Sequence, residues 1–226
     1  LLREHPGLVL GGAAAVLAVL LAVAFVVCVG GFISLAVSGA LHGGLLLLYL
    51  RLLRGQPANL ATVFASVTAA FVPLMFVWVI THFVSGLGLL LCIIPGLVLK
   101  VLWAFSLILV ADRGLDFWTA METSRKAVLR QPFAVAGLLA VAYLPLLIYT
   151  VWSSYDASVY FMNVFGDAFA RMDWGELRAK LPEVSGYAVK MELRERFVVL
   201  LNLPFAYAAL VCAYEQVFGR RGPQAD

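Results

Sequence analysis

The residue with the most unusual chemistry is Lys100, an ammonium group inside an otherwise uncharged run from residue 89 to residue 111. At the middle of a membrane span a lysine costs about 3 kcal/mol on insertion scales. Five residues earlier Pro95 has no backbone N–H to give, which frees a carbonyl and kinks a helix. A broken helix beside a cation is how transporters build anion sites. The plainer reading is a lysine satisfied by freed carbonyls and by polar neighbours such as His42, His82 and Asn202, or one that snorkels outward if the span effectively begins at Pro95. His42 and His82 could also form a proton path, but neither has a carboxylate partner in sight, and packing or hydrogen bonding is the more common use of such residues.

The remaining chemistry is sparse. Glu215 is the only acid inside an apolar run, near its end, and coupled transport generally needs intramembrane carboxylates. Asp112, Asp116 and Glu122 form the nearest acidic cluster, and their spacing suits capping and pairing on a short helix better than metal binding. There is no HExxH, GxSxG, Walker loop or Gly-rich dinucleotide fingerprint, so the expectation is a protein that is not an enzyme and carries no cofactor or metal. Cys28, Cys92 and Cys212 lie in apolar runs without metal-ligand spacing and read as small buried hydrophobes. A Cys28–Cys92 disulfide is the alternative.

The elements that must hold these residues are dictated by composition. The 226 residues are 63% hydrophobic and 13% charged, with a mean hydropathy of +0.98, whereas soluble domains are about half apolar and a quarter charged. The missing solvent is lipid. The length accommodates about six crossings of roughly 20 residues each, giving an all-α, polytopic membrane bundle in a single domain, residues 1–226. The net charge of +3 is what excess Lys and Arg in cytoplasmic loops produce, so nucleic acid is not an expected partner.

Residues 8–50 hold no formal charge, enough for a hairpin of two spans, 8–29 and 32–50, turning at Gly30 and Gly31 or at Ser38 and Gly39. The first run is too long for a signal-peptide core and reads as a retained anchor; the sequence starts without Met, which leaves room for residues upstream. Asn59 is placed to cap a short helix bearing Leu60, Val63, Phe64 and Val67 on one face. The third span is expected at 67–84 and the fourth at 89–111, interrupted at Pro95 and Gly96. Residues 112–132 read as a basic amphipathic helix with Phe117, Met121, Ser124 and Val128 on one face and Glu122 paired with Lys126. Trp118, Arg125, Lys126 and Arg130 would then lie against an anionic inner leaflet, unless the helix packs on the ends of its own bundle. The fifth and sixth spans fall at 133–152 and 197–218.

Between them, residues 153–196 carry seven acids and six bases, a helical cap outside the bilayer too small to hold a core of its own. Asp173 suits an N-cap for a helix ending at Pro182, with a second helix from Val184 that can continue into the sixth span. An even number of spans puts both termini on the side holding Arg3, Arg51, Arg54, Arg113, Arg125, Lys126, Arg130, Arg220 and Arg221, expected to be cytoplasmic. Arg194 and Arg196 abut the outer end of the sixth span against that trend. Arg54-Gly55 and Arg113-Gly114 each precede a loop helix and a span, the faint echo a duplicated hairpin would leave.

Several short stretches resemble a known group. Arg54-Gly55-Gln56-Pro57, Ile93-Ile94-Pro95-Gly96, the stretch AMETSRK from Ala120 to Lys126, and Ala213-Tyr214-Glu215 are similar to the six-span bacterial membrane family that includes the YciC-like proteins. The pattern also resembles the membrane domain fused to some glycerophosphodiester phosphodiesterases. The resemblance covers residues 41–219 and implies a bacterial inner-membrane bundle with both termini inside and no catalytic motif to carry over. The insertion at 153–196 is longer than the resemblance leads one to expect. Taken together, the sequence reads as a scaffold or accessory subunit of a membrane assembly, partnered by the bilayer and by other membrane subunits or its own copies. A permease for a small solute or lipid, using the broken fourth helix and Lys100, is the alternative.

Overall fold

A computed structural model describes residues 30–91 and 93–219, together with Gly7, Gly11, Ala14 and Val16. Among the described residues the protein is all-α: α1 (Gly30–Leu53), α2 (Leu60–Ala69), α3 (Phe71–Leu91), α4 (Ile93–Leu102), α5 (Ser106–Arg113), α6 (Phe117–Val128), α7 (Pro132–Ala170) and α8 (Trp174–Phe218). Four stretches are long and apolar enough to cross a membrane: Phe71–Gly88, Ile94–Arg113, which comprises α4 and α5, Pro132–Ala170 and Trp174–Phe218. A shorter apolar stretch, Val37–Leu53, lies in α1. The expected first span and the Cys28–Cys92 pairing fall outside the described residues or rest on isolated ones.

The fold divides into two compact units, Leu1–Ala142 with Leu203–Asp226, and Tyr143–Asn202. In the first, α1 is the central helix. Leu41, Leu45, Leu46, Leu48, Tyr49 and Leu50 are all buried, as befits a helix apolar on every side. Its neighbours approach through glycines. A Cβ on Gly39 would run into the Leu74 carbonyl and Trp78 Cβ, and one on Gly43 would stand 2.6 Å from Leu74 Cδ2. Gly39 and Gly43 are thus a GxxxG face toward α3, the small-residue packing expected where helices lack a hydrophobic drive to associate. Gly44, on the next face, lies against the Val63 carbonyl of α2. The α3–α4 hairpin uses the same device, with the Gly88 Cβ position 2.8 Å from Gly96 Cα.

Short helices start and stop where local chemistry tells them to. Asn59 Oδ1 accepts the Thr62 N–H at 3.1 Å, the expected cap before α2. Asp116 caps α6 by accepting from the Trp118 and Thr119 N–H groups at 3.0 and 3.1 Å. The interruption in the fourth apolar run lies elsewhere than expected. Pro95 sits in the first turn of α4, where its missing N–H is one of the orphan donors of any helix start, and the chain instead breaks at residues 103–105.

In the second unit α7 and α8 form a hairpin. The Asp173 side chain accepts from Gly175 and Glu176 N–H groups, both at 3.0 Å, so the expected cap is present. Pro182 does not end the helix; α8 runs through it to Phe218. Contacts with α7 hold the axis on both sides of the proline. Lys180 Nζ donates to the Val164 carbonyl at 2.6 Å, and the rings of Tyr187 and Tyr160 stack at 3.7 Å, 5° from parallel. Tyr187 also donates to Asp156 Oδ2 at 2.8 Å.

Candidate functional site

Three helix C-termini, those of α1, α5 and α8, meet in one polar cluster. α1 closes in a Schellman motif, Gly55 N–H to Leu52 O at 3.1 Å and Gln56 N–H to Arg51 O at 2.9 Å. α5 and α8 close with single αL bonds from Gly114 to Val110 O and from Gly219 to Glu215 O, both 2.9 Å. The three glycines have φ of 65°, 63° and 43°, a region in which only glycine is unstrained. These turns bring Arg54 between Asp112 and Glu215. Arg54 Nη1 and Nη2 donate to the two oxygens of Asp112 at 2.6 and 3.2 Å. Its Nε and Nη2 donate to Glu215 Oε2 at 3.1 and 2.9 Å. Tyr214 donates its hydroxyl to Asp112 Oδ2 at 2.7 Å.

The cluster is largely shielded, with side-chain exposures of 14% for Arg54, 13% for Asp112 and 25% for Glu215. Burial opposes the guanidinium charge, but the hydrogen bonds to Asp112 and Glu215 outweigh it and hold the Arg54 pKa above its ordinary value. Acids near helix C-termini are disfavoured by the helix dipole, and the bidentate arginine offsets that. Arg113 adds a second cation, donating to the Phe218 carbonyl at 3.1 Å over the Phe218 ring. The arrangement ties three chain segments together at one end of the first unit. The sequence spacing assigns Asp112 to the loop helix instead; its partners are 58 and 102 positions away, and only their shared place before a helix-ending glycine points to a common end.

Of the expected polar site, His42 and His82 are brought together and Lys100 is not joined to them by any hydrogen bond or ion pair among the described residues. His42 is buried on α1, its Nδ1 3.0 Å from the Tyr207 hydroxyl, and its ring stacks on Trp78 at 4.5 Å. His82, one turn on from Trp78 in α3, packs on the same indole at 3.9 Å, with Nδ1 2.9 Å from the Trp78 carbonyl. Asn202 is buried in α8 at the end of the second unit. Lys100 is exposed on α4 and Pro95 on its first turn. Thr81 Oγ1 and Ser85 Oγ on α3 are buried without a hydrogen-bond partner among the described residues.

The backbone groups freed by the break between α4 and α5 are taken by α6. Ser124 Oγ donates to the Leu102 carbonyl at 2.8 Å and accepts the Phe105 N–H at 3.2 Å. One hydroxyl thus fills both sides of the gap. Ala120, Met121, Ser124 and Val128 form the buried face of α6, so one side of this helix packs on its own bundle, while Trp118 on the other side and Leu129 and Arg130 just past its end are exposed. Arg125 and Lys126 both pair with Glu122, at 2.7 and 3.3 Å. The hydrogen bond from Arg125 is the main cause that pulls the Glu122 pKa down to about 2, and Thr119 lowers that of Asp116 in the same way.

No protein family, curated protein or solved structure matches the chain.

Proposed function

We propose that the protein is a non-enzymatic, multi-pass component of the bacterial inner membrane, with six spans and both termini cytoplasmic, acting as a scaffold or accessory subunit of a membrane assembly. The observation that carries this reading is the surface of the Tyr143–Asn202 hairpin. Its length exceeds what a bilayer can cover, yet Tyr155, Met162, Phe169, Trp174 and Leu181 are exposed beside charged residues, and such patches outside lipid mark contact sites. The gathering of Arg51, Arg54 and Arg113 at the C-termini of α1 and α5 favours a cytoplasmic position for that end. The outer side of α6, with Trp118 and Arg130 and with the cationic heads of Arg125 and Lys126, would rest on the anionic inner leaflet. The resemblance of short stretches such as Arg54-Gly55-Gln56-Pro57 to the six-span bacterial family implies the same placement.

The test is native mass spectrometry of the protein extracted gently from its own membrane. A protein partner in fixed stoichiometry is the expected result; a lone chain carrying a retained solute would overturn the reading. A permease is the second reading, favoured by the exposed Lys100 and by the unpartnered hydroxyls of Thr81 and Ser85 on the neighbouring helix. Lys100→Leu separates the two, since it would abolish transport but leave an assembled scaffold intact.

A further inference from the structure

We propose that the α7 face of the Tyr143–Asn202 hairpin is a parallel, in-register coiled-coil seam to a second copy of this chain. The inference rests on the subunit reading, because it names the partner of the same hairpin. Ile148, Val151, Tyr155, Val159 and Met162 recur at three- and four-residue steps, Phe169 follows seven residues on, and at 3.6 residues per turn all six fall within about 80° of one another. They are exposed: Val151 by 72%, Tyr155 by 69%, Met162 by 71% and Phe169 by 61%. Gly166, between the last two, has open space where a Cβ would stand, so a neighbouring helix can approach closely there. Leu147, Ile148, Val151, Trp152 and Tyr155 line a shallow apolar groove on this face, the kind of hole a facing knob fills.

Lipid cannot cover the whole stripe. The 39 residues of α7 make a helix of about 58 Å, against a hydrocarbon layer of about 30 Å. The part around residues 156–168 is held to α8 by Tyr187, Lys180 and the ion pair of Arg194 with Asp156. That stretch of α8 carries Glu176, Arg178, Lys180, Glu183, Lys190 and Glu192, which cannot enter hydrocarbon. The stripe beyond residue 155 therefore faces water unless protein covers it.

Its character selects a second copy. Two chains inserted the same way in one membrane are related by an axis along the membrane normal, so α7 meets α7 in parallel and each level faces itself. Such a seam fails wherever a charge opposes its own copy. Among the 39 residues the only charged ones are Asp156 and Asp167, and both lie off the stripe; Asp156 is engaged with Tyr187 and Arg194. The exposed parts of the six stripe side chains, from Ile148 to Phe169, amount to roughly 700 Å², close to the about 800 Å² per partner of a specific interface.

The experiment uses the full chain in its native membrane, with Cys28, Cys92 and Cys212 replaced by Ala and single cysteines introduced by Tyr155→Cys, Met162→Cys and Phe169→Cys. Asn163→Cys and Asp167→Cys serve as flanking positions, lying about 80° and 120° from the centre of the stripe. Oxidation is expected to give disulfide-linked homodimers at the three stripe positions at least tenfold more than at the two flanks. Equal crosslinking at all five, or none on the stripe of a stably inserted protein, overturns the proposal. Adducts of the stripe to a different protein overturn it too, yet leave the subunit reading standing; a homodimer alone is itself an assembly of fixed stoichiometry and upholds both, whereas a chain that is monomeric in the native mass spectrum overturns both. Met162→Lys should lower the dimer fraction at least tenfold and Met162→Leu should not, and a dimer unmoved by the lysine also overturns it.

Discussion

Arg54 grips Asp112 with both terminal guanidinium nitrogens, Nη1 and Nη2, at 2.6 and 3.2 Å, and so joins the end of α1 to the end of α5. The same arginine reaches Glu215 on α8. One side chain thus balances two carboxylates, and the cluster is held by charge that none of the three helices satisfies alone. A half-broken cluster of this kind is worse than none, because it leaves a shielded charge unpaired.

Arg54→Met should therefore destabilise the protein by about 2–3 kcal/mol, near the lower side of the range for breaking a buried pair because the site keeps some access to water. Unfolding by sodium dodecyl sulfate in mixed micelles, followed by circular dichroism, measures it. The triple replacement Arg54→Met, Asp112→Leu, Glu215→Leu removes the three mutually paired charges together and should recover much of the loss. If Arg54→Met leaves the unfolding midpoint unchanged, the cluster does not hold the three ends together.

Ser124 offers a second test, because its hydroxyl serves two backbone groups on either side of the break between α4 and α5. In Ser124→Ala the buried Phe105 N–H and the Leu102 carbonyl lose their partner, which costs about 1–3 kcal/mol. Ser124→Thr keeps the hydroxyl and should stay much closer to the parent. Hydrogen exchange at the Phe105 amide is the site-specific readout: it should speed up at least tenfold in the alanine variant and little in the threonine one. Unchanged protection in Ser124→Ala would show that another group satisfies the break.

These two sites mark where sequence reading succeeds and where it stops. Helix starts at Asn59, Asp116 and Asp173 are legible because a cap is local, acting over two or three residues. The apolar runs of α3, α7 and α8 are legible because length and uniform hydrophobicity suffice. The break at residues 103–105 is not, since no glycine or proline marks it; its cause is a hydroxyl 19 positions away, while Pro95, the visible breaker, sits harmlessly in a first turn. Pro182 misleads in the same way, because packing against α7 overrides its local preference. The Arg54 cluster needed knowledge of which helix ends coincide, which only the tertiary fold supplies.

Close packing on α1 predicts intolerance to a single methyl group. A Cβ on Gly44 would collide with the Val63 carbonyl, and one on Gly39 with the Leu74 carbonyl; both obstacles are backbone and cannot rotate away. Gly44→Ala and Gly39→Ala should each cost about 1–3 kcal/mol, the usual range for overpacking, despite alanine being the better helix former. Gly86→Ala, where a Cβ meets open space, should be neutral or slightly stabilising. Thermal unfolding of the three variants in one detergent ranks them, and a stable Gly44→Ala would mean that α1 and α2 are not in such close contact.

The ion pairs of α6 carry a pH dependence with a definite sign. Arg125 and Lys126 lower the Glu122 pKa from 4.5 to about 2, so the folded helix holds the proton less readily than the unfolded chain does. The stabilisation is then fully present above pH 4.5, declines as the pH falls, and is gone once Glu122 is protonated below about pH 2. Arg125 and Lys126 sit at an exposed face, so the contribution is small and salt weakens it. Carbon-13 NMR of the Glu122 carboxyl should place its midpoint near 2, and raising the salt should move it toward the ordinary glutamate value. Glu122→Gln should flatten the acid dependence of exchange at neighbouring α6 amides between pH 4.5 and 2. A midpoint at 4.5 in the parent protein would mean that the Glu122 pairs do not persist in solution.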